Sequence, residues 1–254
     1  MTAGIAWGRV EEAGLNALQT QRQLFYDGWL LRVSPGVAKR ARSVNAHFGS
    51  TLPVEAKIDY CEALYAAHGL PTLFRITPFV QPPLLETVLA GRGYMAFQPT
   101  CVQVAPLGHP PDIPVDPEIE LATPPPAEFV DAVGALRGST PEQRTAHLER
   151  LSCTPLTTRA VLARIGGETV ACGQLALEQG LAGIYDMVTA AAYRGRGIAT
   201  QIVGELLTWA WNHGATNAYL QVDAANARAL AVYRKFGFAT IYDYHYRARS
   251  DECR

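Results

Sequence analysis

The segment Asp186-Met-Val-Thr-Ala-Ala-Ala-Tyr-Arg-Gly-Arg-Gly-Ile-Ala199 constrains this chain more than any other. It reads as the end of a strand, a short loop rich in arginine and glycine, and a helix opening at Gly197. The first N–H groups of a helix have no partner within it, and glycines let a ligand approach the main chain closely. Arg194 and Arg196 add positive charge at the same place. Residue types in this order make a site for a phosphate-bearing ligand. Two common phosphate sites are excluded. Gly195-Arg-Gly-Ile-Ala-Thr200 lacks the third glycine of a dinucleotide fingerprint, and the Gly-Lys-Ser/Thr ending of a Walker loop is absent.

The surrounding pattern places this loop in a mixed sheet. A short strand over Glu118–Ala122 precedes helices near Ala127–Leu136 and Pro141–Leu151, the first of them started by the prolines at 124–126. Three strands follow in hairpin succession. Arg159–Ile165 turns at Gly166-Gly167 into Glu168–Glu178, which turns at Gln179-Gly180 into Leu181–Thr189. A helix from Gly197 to His213 stops before Gly214, and strand Ala218–Val222, helix Asn226–Phe236 and strand Phe238–Arg247 complete the unit. The expected fold class is α/β (α+β), a mixed and mostly antiparallel twisted sheet flanked by helices.

Upstream, Ala105-Pro-Leu-Gly-His-Pro-Pro-Asp-Ile-Pro-Val-Asp-Pro117 is too rich in proline for a helix or a central strand and reads as a linker. It divides the chain into an N-terminal domain, 1–112, and a C-terminal domain, 113–254. The N-terminal part is expected to hold strand Trp29–Ser34, a turn at Ser34–Val37 and a second strand over Ala38–Asn45. Helix Val54–His68, strand Thr72–Thr77, helix Pro83–Ala90 and strand Tyr94–Val104 follow. Its closing segment Thr87-Val-Leu-Ala-Gly-Arg-Gly-Tyr94 runs parallel to Ala231-Val-Tyr-Arg-Lys-Phe-Gly-Phe238, which points to a weak internal repeat.

These motifs resemble the GNAT superfamily of N-acetyltransferases. Arg194-Gly-Arg-Gly-Ile-Ala199 fits the (Q/R)-x-x-G-x-(G/A) acetyl-CoA loop of that superfamily, Tyr185–Thr189 looks like its splayed central strand, and Asn226–Phe238 is similar to its second cofactor-binding segment. The match covers the chain from about Glu118 onward. The N-terminal half agrees only in element order, as in tandem members whose first copy has decayed and serves as a scaffold or substrate wall.

The resemblance implies acetyl-CoA as co-substrate and direct transfer of its acetyl group to a primary amine of a small molecule or peptide. It implies cofactor contacts at Met187, Val188, Thr189, Arg194, Gly195, Arg196, Gly197, Ile198, Ala199, Thr200, Asn226 and Tyr233. A backbone N–H at Met187 or Val188 would polarise the thioester carbonyl. Tyr233 stands where the family places its tyrosine acid, and a phenol remains protonated at neutral pH. Asp186 is the first candidate for base or amine anchor and Glu178 the second. Strict alternation puts Tyr185 and Asp186 on opposite faces unless the strand is bulged. A non-catalytic acetyl-CoA sensor is the alternative reading.

Several residues also have simpler readings. Tyr233 shares a helical face with Ala229 and Phe236 and could be core. Asn226 can cap the following helix, and His213 can complement the dipole at the end of its own. Trp209 and Trp211 are two apart and face different ways. Lys39-Arg-Ala-Arg42, the only basic cluster of the N-terminal half, reads as the outer face of a strand. Alternatively Phe25, Tyr26, Trp29 and the arginines line a substrate entrance. A net charge of −1 argues against nucleic-acid or membrane-surface partners, and no apolar run approaches the roughly 20 residues of a membrane span. The residues from Met1 lack the pattern of a signal peptide. Cys61, Cys101, Cys153, Cys172 and Cys253 are scattered, as reduced thiols of a cytoplasmic protein would be, and neither they nor the histidines have metal-ligand spacing. The expectation is a cytoplasmic monomer or homodimer without a metal.

Overall fold

The computed structural model describes residues 6–113 and 115–249. The readings made at Met1 and Cys253 lie outside the described residues.

The C-terminal part follows the expected order. Strand β6 (Glu120–Ala122), helices α4 (Pro126–Arg137) and α5 (Pro141–Cys153), and strands β7 (Thr157–Ile165), β8 (Glu168–Glu178) and β9 (Leu181–Thr189) lead into α6 (Ile198–Asn212). Strand β10 (Asn217–Asp223), α7 (Ala227–Arg234) and β11 (Ala239–Ala248) complete it. Local chemistry sets the boundaries. Thr140 and Gln143 form a capping box at the start of α5, satisfying N–H groups the helix cannot. Gly166-Gly167 and Gln179-Gly180 turn the hairpins at positive φ, the conformation that matches the twist of the flanking strands.

The N-terminal part contains more than the sequence pattern suggests. Helix α1 (Trp7–Asn16) and strand β1 (Gln23–Tyr26) precede β2 (Trp29–Arg32). The strand expected over Ala38–Asn45 is only β3 (Val44–Asn45), and Lys39–Ala41 is a short 3-10 turn. The Ser34 N–H donates to the Ala41 carbonyl at 3.1 Å, closing 34–41 into a loop. The basic cluster is therefore not the outer face of a strand. Helix α2 (Val54–Ala67), β4 (Phe74–Ile76), α3 (Leu85–Gly91) and β5 (Met95–Pro106) follow.

Among the described residues eleven strands form one sheet in the order β1-β2-β3-β4-β11-β5-β10-β9-β8-β7-β6. Each half inserts its last strand between the last two of the other. Strand β5 lies between β10 and β11, and β11 between β4 and β5. Ala105 and Pro106, read as linker, still pair with Ala218 and Asn217, so the linker begins after them. Two apolar cores remain distinct, one around Trp29, Phe74 and Leu89 and one around Leu175, Ile202 and Leu206. A third cluster joins them through α1, with Val10 and Ala13 against Tyr185, Tyr219 and Tyr242. Inside this junction Glu11 pairs with Arg75, with 3.0 Å between Arg75 Nη2 and Glu11 Oε2, and accepts from the Tyr242 hydroxyl at 2.7 Å.

The closing turns of the two halves share a backbone plan. Tyr94 N–H donates to Leu89 O and Phe238 N–H to Tyr233 O, and in each the intervening glycine, Gly93 or Gly237, has positive φ.

Alternation along β8 identifies the two faces of the sheet. Ala171 and Leu175 pack under α6, whereas Cys172 meets α4, Gln174 bonds Asp186 and Ala176 joins the α1 cluster. Helices α1 and α4 therefore cover one face and α6 the other.

Candidate active site

The sheet opens where the loop begins. Strands β9 and β10 run parallel and pair from Leu181↔Asn217 to Ile184↔Leu220, and beyond that point the pairing stops. Tyr185–Thr189 and Gln221–Asp223 thus border a V-shaped split whose mouth lies beside the loop into α6. On its other side β9 departs from regular pairing too. Tyr185 pairs with Gln174 and Val188 with Cys172, so Asp186 and Met187 together oppose Gly173. This is a β-bulge, with Asp186 at φ +51°. Gly173 makes room for it, since a Cβ there would lie 2.2 Å from Met187 Sδ.

The loop has the form of an anion cradle. Gly195 and Gly197 stand at φ +82° and +80°, with open space where a side chain would be. The first intrahelical bond of α6 runs from Gln201 N–H to Gly197 O, so the N–H groups of Ile198, Ala199 and Thr200 precede the ladder. The Ile198 side chain is in the core, which leaves only its backbone for a ligand. Arg194 Nε reaches back to Thr189 O at 3.3 Å. Arg196 extends from the loop to Glu118 at 3.2 Å. Open glycines, free donors and two guanidinium groups fit a pyrophosphate.

On the same side as α6, the helix α7 presents Asn226 and Tyr233. Asn226 Oδ1 accepts from Ala229 N–H at 3.1 Å, the capping role its position suggests. The Tyr233 ring is buried among the α6 core residues and meets Phe238 edge-on at 5.9 Å. Its hydroxyl has no protein partner among the described residues, and burial pushes its pKa up to about 12. It is a phenol that keeps its proton.

Asp186 faces the other way, into a cavity between the 34–41 loop and helices α4 and α5. Arg137 donates to it at 2.8 Å and Gln174 at 2.6 Å. His147 Nε2 lies 3.2 Å and Arg150 Nη2 3.6 Å from Oδ2. Burial works against its charge, yet His147, Arg150 and Arg137 together hold the carboxyl well below its ordinary pKa. So weak a proton acceptor suits an anchor better than a general base. Glu178, the second candidate, sits at the paired end of β8, where Asn16 donates to it at 3.0 Å.

Met187 and Val188 point to opposite faces, Met187 toward α6 and Val188 into the α4 cluster of Phe129 and Val133. Thr189 ends β9 opposite Ala171. Sequence reasoning missed Arg137, His147, Arg150 and Gln174. The three-residue spacing of His147 and Arg150, which sets both on one face of α5, was the available signal. Of the proposed entrance residues, Trp29 is fully buried, Tyr26 stacks on Tyr60, and only Arg40 reaches the site, over the Tyr185 ring at 5.5 Å. Trp209 packs on the core and stacks on His213, whose ring bonds the Trp209 carbonyl at the end of α6, while Trp211 is exposed.

Residues 129–238, which contain both the split strand and the loop, match the acetyltransferase (GNAT) family. That stretch is a GNAT-family acetyltransferase domain. The chain is similar to the uncharacterized N-acetyltransferase YobR of Bacillus subtilis (strain 168), 29% identical over 87% of this chain and 90% of that protein. A GCN5-related N-acetyltransferase from Kribbella flavida shares the fold over 98% of this chain and 97% of its own, with a TM-score of 0.69 and 18% identity. So does a tandem GNAT protein from the clavulanic acid biosynthesis pathway, over 76% of this chain and 68% of its own, with a TM-score of 0.60 and 16% identity. Among the described residues no helix is long and apolar enough to cross a membrane, and no group of three or more His, Cys, Asp or Glu residues could hold a metal ion.

Proposed function

We propose that the chain moves the acetyl group of acetyl-CoA directly to a primary amine of a small molecule or peptide. One observation carries this reading: the β9/β10 split opens beside the free N–H groups of α6, so a pyrophosphate at the loop directs its attached arm toward the bulge. Acetyl-CoA supplies the activated thioester. The loop of Arg194, Gly195, Arg196 and Gly197, with the N–H groups of Ile198, Ala199 and Thr200, holds the phosphates. Asn226 and Thr189 flank the arm, and a main-chain N–H at Met187 or Val188 polarises the carbonyl. The amine nitrogen forms the C–N bond as the C–S bond breaks, losing one proton to solvent while Tyr233 donates one to the departing sulfur. Asp186 anchors the amine side of the site. The N-terminal half is read as a decayed second copy, supported by its matching closing turn, that walls the acceptor site. We place this activity in the cytoplasm, in a monomer or homodimer acting without a metal.

Release of free thiol from acetyl-CoA across a panel of amines tests the reading. Amine-dependent release supports transfer. Tight acetyl-CoA binding with no release for any amine would favour a sensor.

A further inference from the structure

Resting on this transferase reading, we infer that the acceptor amine also bears an anionic group, a carboxylate or a phosphate, which Arg40 receives over the mouth of the β9/β10 split. The inference starts from charge. Arg32, Arg40, Arg75 and Arg150 converge on the junction between the two halves, each within electrostatic reach of another of the set. Two carboxylates pair with members of this set among the described residues, and both are engaged. Glu11 is held by Arg75 and Tyr242, and Asp186 by Arg137, Gln174 and Arg150. The junction therefore keeps an excess of positive charge.

Arg40 is the member free to take a ligand. Its Nη1 is sealed from solvent with no hydrogen-bond partner, as is Nη1 of Arg32, although Arg40 as a residue is only half-buried. Among the described residues it has no carboxylate partner; its guanidinium lies over the Tyr185 ring at 5.5 Å and within electrostatic reach of Tyr244 and Tyr246. Tyr185 lies on β9 and the other two on β11, so Arg40 spans the strands between them, β5 and β10. That position is over the split, on the face to which the bulge turns Asp186. A guanidinium there can grip two oxygens of a planar or tetrahedral anion. Asp186 then lies on the side from which the ammonium of the same molecule would be held. The loop that carries Arg40 comes from the N-terminal half, which gives that half a part in choosing the acceptor.

The test uses the full chain and four kinds of amine: α- and β-amino acids, their amides, aminoalkyl phosphates, and diamines. Thiol release should show KM lower by about tenfold or more for an anionic amine than for the matching uncharged one, as expected for a charge-assisted fork. The amino acid and aminoalkyl phosphate arms tell carboxylate from phosphate. In Arg40→Gln that ratio should collapse to within about twofold. Equal or better use of amides or diamines by the parent chain overturns the inference, as does an Arg40→Gln variant that keeps the preference. Calorimetric titration with acetyl-CoA separates the two readings. A chain that does not bind it refutes the transferase, whereas one that binds it and acetylates only uncharged amines refutes the anionic acceptor alone. The parent's amine panel decides even if the variant does not fold.

Discussion

Tyr185 and Asp186 are consecutive on β9 and yet face the same side of the sheet. Tyr185 joins Val10 and Ala13 of α1, and Asp186 meets Arg137 of α4 and Arg150 of α5. The bulge accounts for this: the left-handed backbone of Asp186 adds one residue and resets the alternation, so that Met187 returns to α6. On the proposed function, the split thus has a cofactor side under α6 and α7 and an acceptor side under α1, α4 and α5. Asp186 belongs to the second.

Because its carboxyl is held below the unfolded value near 3.8, Asp186 binds fewer protons folded than unfolded. Its contribution is complete above that value and is lost as the pH falls through the folded pKa. Asp186→Asn should therefore be less stable by about 3 kcal/mol at neutral pH, since Arg150 keeps no buried counter-charge. Its melting temperature should also fall less steeply than the parent's below about pH 4. Parallel pH dependences in thermal melts of the two proteins would remove Asp186 from this role.

Tyr233 offers a cleaner separation of binding from chemistry. Phenylalanine keeps the ring against Phe238 and removes only a hydroxyl without a partner among the described residues. Turnover of Tyr233→Phe should drop on the order of 10²-fold, with acetyl-CoA affinity and melting temperature close to the parent's. Unaltered turnover with the best acceptor would make Tyr233 a packing residue.

Much of this site was legible because its signals are local. Two glycines at positive φ before a helix, the hairpin turns, and Asn226 capping α7 each depend on a few adjacent residues. The acceptor side was not, because its parts come together only in three dimensions. Arg40 turns inward through a loop closed by Ser34 and Ala41, where a strand over Ala38–Asn45 was expected. Helix α1, which carries Gly8 and Gly14, was not among the expected elements. A Cβ at Gly14 would come within 2.7 Å of the flexible end of the Gln221 side chain. The exchange of β5 and β11 has no local signature at all, since either strand could have stayed with its own half.

Gly197 should be the most sensitive position of the loop. Glutamate there would place a negative charge at the free N–H groups of α6 and force a side chain to φ +80°. Acetyl-CoA affinity in Gly197→Glu should fall by about 100-fold or more, and by less in Arg194→Ala, whose guanidinium already folds back on Thr189. Gly69→Glu, at φ +63° in the other half, carries the same kind of backbone strain and controls for it. Calorimetric titration decides; unchanged affinity in Gly197→Glu would dismiss the loop as the phosphate site.

The buried pair of Glu11 and Arg75 ties α1 to β4, with Tyr242 of β11 completing it. Arg75→Met leaves Glu11 sealed in the junction without its cation. A loss of about 3–5 kcal/mol follows for a buried pair broken on one side. In a chain of this size that lowers the melting temperature by roughly 6–20 °C. Replacing both, as Glu11→Gln with Arg75→Met, should recover part of the loss. A single variant as stable as the parent would show that the junction does not depend on the pair.

One acetyl-CoA should bind per chain, at the C-terminal loop. The two halves present equivalent turns after α3 and α7, so a second site in the first half is a reasonable thing to look for. Its candidate helix is α2. There the N-cap is Pro53, which has no N–H to offer, and Glu55 occupies the first turn, where a pyrophosphate would be repelled. No pair of positive-φ glycines precedes it as Gly195 and Gly197 precede α6. At the position parallel to Tyr233 stands Leu89, fully buried and without a proton to give. Neither the phosphate cradle nor the acid has a counterpart. Cutting the chain at residue 112 would not test this, because β5 is held between β10 and β11 and would lose both neighbours. Saturating calorimetry on the intact chain does test it. A stoichiometry near one that disappears in Gly197→Glu is expected, and two equivalents in the parent, or one surviving in the variant, would establish a second site in the N-terminal half.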